Sequence, residues 1–199
     1  LDVTDEQAAE QFFKDVVAKY GSVHGLVNCA GIGPSAKVVG KESVHDLAMF
    51  SKTLHINVTG TFNMLRFAAD AMSKNIVAEG DEDRGVIVNT ASVAAFDGQI
   101  GQAAYSASKG AVVAMTLPIA RELARHQIRV LTIAPGIMET PMLKGLPQNV
   151  QDALGQMVPY PSRLGRPEEF ARLVAHIAEN SYLNGEVIRL DGGIRMAAK

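Results

Sequence analysis

The sequence has one cysteine, Cys29, in 199 residues. A single thiol excludes an internal disulfide framework and a multi-cysteine zinc site, and it fits a reducing compartment. None of the five histidines (His24, His45, His55, His126, His176) forms a His-x-x-x-His pair, and the carboxylates are scattered rather than paired, so no metal centre is expected. No stretch approaches the ~18 apolar residues of a membrane span; the longest weakly polar run, Gly110–Ala120, is interrupted by Pro118. The residues from Leu1 onward do not read as a secretory signal, and a targeting segment upstream of Leu1 stays open. Charge of either sign is not in excess: 19 Lys and Arg face 21 Asp and Glu, a net charge of −2. This leaves no footprint for nucleic acid or an anionic membrane surface. Arg121, Arg125 and Arg129 come nearest to a basic stripe and read as a solvated helix face. Repeats, low-complexity tracts and linkers are also missing, and the length suits one domain.

What is present is core material, 47% hydrophobic against 20% charged. Strand-like and helix-like segments alternate. Thr4, with Gln7 three residues on, has capping-box spacing, and Ala8, Phe12, Val16 and Tyr20 follow at helical spacing until Gly21. Leu26–Asn28 is a short strand broken by Gly31, Gly33 and Pro34. From Asp46 to Ser73 the pattern is helical, with Leu47, Phe50, Leu54, Val58, Phe62 and Leu65 on one face. Gly80–Arg84 reads as a polar loop, Gly85–Thr90 as a buried strand, Ala103–Arg125 as a long helix and Arg129–Ala134 as a second buried strand. Pro141–Pro161 reads as an irregular cover. A helix starting at Pro167 and a strand at Glu186–Leu190 complete the chain. Strands apolar on both faces, separated by helices, predict an α/β fold, a doubly wound parallel sheet of Rossmann-like form.

The chemistry concentrates in Tyr105-Ser106-Ala107-Ser108-Lys109. On a helix, residues four apart share a face, so Tyr105 and Lys109 meet. A phenol titrates near pH 10, and an adjacent ammonium would draw that value toward neutrality. Alone, the pair reads first as an ordinary surface contact. Ser92 changes its weight: it follows a buried strand, where open α/β sheets place ligands, and its hydroxyl can bond a substrate carbonyl. In isolation Ser92 also reads as a simple turn or cap serine.

Five motifs in order resemble the short-chain dehydrogenase/reductase family. They are Asn28-Cys29-Ala30-Gly31, Asn57 in Leu54–Gly60, Asn89-Thr90-Ala91-Ser92, Tyr105 with Lys109, and Pro135-Gly136 with Thr140. The resemblance implies roles. Tyr105 is the general acid/base, Lys109 lowers its pKa and bonds the nicotinamide ribose, and Ser92 positions the substrate oxygen. Asn57 holds a water linking Lys109 to solvent, which would explain a poor helix former inside a helix. Asp2 and Val3 would bracket the adenine of the cofactor. Asn28, Ala30 and Gly31 would follow the adenosine, and Pro135, Gly136, Ile137 and Thr140 the nicotinamide. Gln99 and Gln102 are candidates for the substrate cleft, with exposed loop glutamines the equal alternative.

Ala91–Gly110, Thr116–Arg121, Pro161–Gly165 and Leu183–Gly192 resemble the type-2 3-hydroxyacyl-CoA dehydrogenase branch of that family, also called 17β-hydroxysteroid dehydrogenase type 10. That branch implies NAD rather than NADP (which is not excluded), a 3-hydroxyacyl-CoA substrate, a homotetramer, and a cytoplasmic or, in a eukaryote, mitochondrial-matrix location. An NADPH-dependent 3-ketoacyl-(acyl-carrier-protein) reductase and a non-catalytic scaffold are the alternatives. The family's phosphate-binding turn, Thr-Gly-x-x-x-Gly-x-Gly, has no match here. The expectation is therefore a single domain over residues 1–199 that is N-terminally incomplete, its first βαβα portion of roughly 50–65 residues lying upstream of Leu1.

Overall fold

The computed structural model describes every residue except Pro141, Met142, Lys144, Leu146 and Lys199. Its centre is a four-stranded, wholly parallel sheet in the order β1 (Gly25–Asn28), β2 (Gly85–Thr90), β3 (Ile128–Pro135), β4 (Val187–Leu190). Helix α1 (Glu6–Tyr20) precedes β1; parallel strands need crossovers, and α2 (Leu47–Leu54) and α3 (Thr61–Ser73), then α4 (Ala103–Leu123), then α5 (Gln148–Gln156) and α6 (Pro167–Glu179) supply them. Side chains alternate across the sheet, so β2 sends Ile87 into a core with Phe13, Leu65, Ala68 and Met72. Val86 and Val88 point oppositely, into a second core with Leu131, Ile133 and Ile177. Both faces are covered, as the continuous apolar strands require.

Local chemistry explains most boundaries. Asp5, rather than Thr4, caps α1: its Oδ1 accepts from the Ala8 amide at 2.9 Å. Gly21, at φ 85°, ends α1 in a left-handed turn. Asp46 caps α2 through the Ala48 amide. Residues 1–3 carry no strand, and the expected irregular cover contains α5.

The long helix expected over Asp46–Ser73 is divided. Between α2 and α3 lies a π-helical turn, His55–Gly60. The apolar face read from the sequence is mostly not the buried one: Leu47 and Phe62 are exposed, and of that set only Leu65 is buried. Thr53, Asn57, Thr61, Met64, Ala68 and Met72 face inward instead.

Arg129 departs further from expectation. It lies second in β3, in the expected strand, but it joins no solvated stripe and is 6% exposed. Its guanidinium pairs with Asp83 and donates to the carbonyls of Ile177, Ala178, Asn180 and Leu183, closing the C-terminal end of α6.

Candidate active site

The C-terminal ends of β1, β2 and β3 all emerge at one edge of the sheet and deliver Cys29–Gly33, Ala91–Ser92 and Gly136–Thr140 to it. The start of α4 faces the same edge. Lys109 is 6% exposed, and its Nζ donates to the Thr90 carbonyl at 2.7 Å. Burial lowers its pKa to about 8, with the neighbouring Cys29 pulling the other way. Tyr105 lies one turn earlier, the Lys109 Nζ 5.8 Å from its ring centroid. Gly33 lies against that ring: a Cβ there would stand 3.3 Å from Cδ2 and Cε2.

Burial pushes the Tyr105 phenol above its ordinary value, and a hydrogen bond with Ser92 acts in the opposite sense. The expected lowering by Lys109 is therefore not observed. The phenolate loses more to desolvation than the Ser92 bond returns, and burial also disfavours the Lys109 ammonium, one N–H of which is held by the Thr90 carbonyl. Burial thus favours the protonated phenol at Tyr105. Ser92 serves two purposes: its Oγ accepts from the Ala94 amide at 3.1 Å, capping the turn Val93–Ala95, and it reaches the tyrosine.

Asn57 occupies the π turn and is 1% exposed. Its Oδ1 accepts from the Ile32 amide at 2.8 Å, and its Nδ2 donates to the Ile32 carbonyl at 2.8 Å and to Ser108 Oγ at 2.9 Å. Its backbone carbonyl accepts from Thr61 Oγ1. Both amide hydrogens are thus committed to protein, tying the loop after β1 to α4. A π turn is the kind of local irregularity that re-aims a side chain at a functional site.

The remaining expected residues fall in several places. Gly31 faces Lys109 and Asn57: a Cβ would sit 3.1 Å from Asn57 Oδ1 and 3.6 Å from Lys109 Nζ. Ala30 beside it is exposed. Asn28 turns into the sheet, its Nδ2 donating to Asn89 Oδ1 at 2.9 Å, so only its backbone is left to line the edge. Pro135, Gly136 and Ile137 are half-buried, and Gly136 is held against Asp191, where a Cβ would come within 2.9 Å. Thr140 is exposed, and its Oγ1 accepts from the Leu143 amide at 3.4 Å. Val3 packs against Gly60, while the Asp2 carboxylate accepts from the Thr4 amide and hydroxyl, which holds its pKa low. Gln99 and Gln102 line a shallow cleft with Ser35, Lys37 and Ile100. There Gln102 Oε1 accepts from the Gln99 amide, and Gln99 Nε2 donates to the Ala197 carbonyl.

Sequence reasoning missed the partners that hold these groups: the Thr90 carbonyl, the Ile32 backbone, Ser108, and Gly33 on the tyrosine ring. Only Gly33 left a signal, as the second glycine of Gly31-Ile32-Gly33, and it read as a turn.

Residues 1–195 match the family described as Enoyl-(Acyl carrier protein) reductase. The human protein named 3-hydroxyacyl-CoA dehydrogenase type-2 is 54% identical over 197 residues, covering 98% of this chain and 75% of that protein. Its Drosophila melanogaster counterpart is 52% identical over 198 residues, 98% of this chain and 77% of the relative. A Thermotoga maritima 3-oxoacyl-(acyl-carrier-protein) reductase is 38% identical over 98% of this chain and 75% of its own. The crystal structure of 3-hydroxyacyl-CoA dehydrogenase type-2 from Mycobacterium avium superposes with a TM-score of 0.92 at 37% identity, covering 99% of this chain and 76% of that one. The chain thus spans about three quarters of each relative. With a parallel sheet bearing a serine, a tyrosine and a lysine at one edge, and with these matches along nearly its whole length, the chain belongs to the short-chain dehydrogenase/reductase family.

Proposed function

We propose that this chain carries the catalytic groups of an NAD-dependent enzyme interconverting 3-hydroxyacyl-CoA and 3-ketoacyl-CoA. The observation that carries the reading is the convergence of Ser92, Tyr105 and Lys109, braced by Asn57, at the edge where the strands end. The relatives named for that activity supply the substrate class. The residues present fit a nicotinamide cofactor. Gly31 and Gly33 form a cradle that a Cβ would fill, and Lys109, with three N–H bonds, spends one on Thr90. Lys109 would meet the ribose, and Pro135, Gly136, Ile137 and Thr140 the nicotinamide side. Asp2, Val3, Asn28, Ala30 and Gly31 would follow the adenosine. When bound, the nicotinamide supplies or accepts the hydride at the carbon bearing the oxygen.

The chain's own groups handle the proton. In reduction, Tyr105 Oη gives its proton to the ketone oxygen while Ser92 Oγ hydrogen-bonds the same atom; oxidation runs in reverse, with the alcohol proton passing to the phenolate. The raised Tyr105 pKa favours the donor form at neutral pH. Lys109, charged below about pH 8, offsets the phenolate once it forms. Asn57 would hold a relay water only through its backbone carbonyl or the second lone pair of Oδ1, since its amide hydrogens are committed.

The same reading includes a longer chain, with the missing first βαβα portion completing the domain, and a homotetramer. Exposed Leu47, Phe62 and Leu117, on α2, α3 and α4, support association. An intact mass above 21.2 kDa for the natural protein would bear out the first, and light scattering reads the second. Steady-state reduction of acetoacetyl-CoA by the full-length protein, NADH against NADPH, tests the activity. Preference for NADPH with acyl-carrier-protein substrates would replace the reading, and no turnover with either would favour a scaffold.

A further inference from the structure

Ser108 is wholly buried and stands between the two halves of the site. It accepts from Asn57 Nδ2 at 2.9 Å and donates to the Tyr105 carbonyl at 2.7 Å. The direction of this chain is fixed. Because Asn57 Oδ1 takes the Ile32 amide, the Asn57 amide can present only N–H to Ser108. Ser108 must then accept with its lone pair and send its proton to Tyr105. A serine bonding back to the carbonyl three residues earlier is common in helices. Here the same hydroxyl also receives a buried amide from another element. Loss of the hydroxyl would strand an N–H of Asn57 in the interior.

We infer that Ser108 is a positioning residue: it registers the π turn against α4, so that Asn57 and Tyr105 keep their relative placement. It touches neither substrate nor cofactor and acts through those two residues. The inference rests on the proposed acid/base role of Tyr105, though not on the identity of the substrate.

The test is a kinetic double-mutant cycle in the full-length enzyme, with Ser108→Ala, Asn57→Ala and the double variant. Each is assayed with NADH on acetoacetyl-CoA and on ethyl acetoacetate, a ketone free of CoA. Ser108→Ala is expected to lower kcat on the order of tenfold with little change in KM for NADH. The double variant is expected to be no slower than Asn57→Ala alone. Multiplying effects, or a Ser108→Ala variant that loses thermal stability at unchanged kcat, would overturn the inference. If Ser108→Ala fails to fold, Ser108→Thr and Ser108→Cys decide. The hydroxyl of threonine should retain activity where the weakly accepting thiol does not, and equal activities would overturn it. Turnover of ethyl acetoacetate without acetoacetyl-CoA would sink the substrate reading while leaving the cycle intact.

Discussion

A buried lysine held near neutrality has a cost that can be measured, and Lys109→Met isolates it. Its pKa is about 8, against an ordinary 10.5, because burial disfavours the ammonium. A lowered lysine pKa means that the unfolded chain binds the proton more tightly than the folded one. Stability therefore rises with pH through the window from about 8 to 10.5. Below that window the full penalty applies, roughly 3 kcal/mol at 1.36 kcal/mol per pH unit. Between pH 7.5 and 9.5, short of tyrosine ionisation, linkage returns about 2 kcal/mol to the wild type and nothing to the variant. Methionine also leaves the Thr90 carbonyl without its donor, a loss of about 1–2 kcal/mol. The inactive variant is expected to be more stable than wild type by roughly 1–2 kcal/mol at pH 7.5 and to lose that advantage by pH 9.5. Urea midpoints at both pH values read the difference. A gap between the two proteins that is the same at pH 7.5 and 9.5 would refute the reasoning.

Other perturbations have equally definite outcomes. Tyr105→Phe should lower kcat by about 100-fold or more while cofactor affinity, from fluorescence titration, stays within about threefold; retained activity above a tenth would contradict the acid/base role. Gly33→Ala brings a methyl to 3.3 Å from the Tyr105 ring, so kcat should fall more than the melting temperature does. Unchanged kinetics would show that the ring has room to move. Arg129→Met strips donors from the carbonyls closing α6 and leaves Asp83 unpaired, for a loss of about 2–4 kcal/mol in urea unfolding. A loss under about 0.5 kcal/mol would mark the network as dispensable.

The sequence disclosed best what depends on fixed backbone spacing. Tyr105 and Lys109 share a face because α-helical geometry leaves no choice, and Ser92 follows β2 because the strand's apolar run ends at Thr90. The parallel sheet followed from strands without a polar face. The failures have a common origin in properties that exist only after folding. Thr4 and Asp5 can both cap a helix, and the choice fell to Asp5 while Thr4 bonded back to Asp2. The face of α2 and α3 was misread because its inward positions carry polar residues: Thr53 and Thr61 bond to carbonyls four residues back in the chain, and Asn57 is satisfied by Ile32 and Ser108 from distant segments. Arg129 looked solvated because four carbonyls and Asp83 meet it from distant segments. The shift of Tyr105 was expected downward because proximity to Lys109 can be read from sequence and depth of burial cannot.

The π turn at His55–Gly60 reverses the usual relation between damage to the backbone and damage to the fold. A π turn is an α-helix with one residue too many, each residue adding about 100° of rotation. Deleting one residue within this span would relax the bulge into continuous α-helix, leaving α2 and α3 in their present seats. What it would discard is the widened turn of backbone that carries buried Asn57 to Ile32 and Ser108. The shortened chain would keep its helices and forfeit its chemistry. On the proposed role of Asn57, this single surplus residue serves the site, and its stretch of helix is where length would be constrained by the reaction rather than by packing.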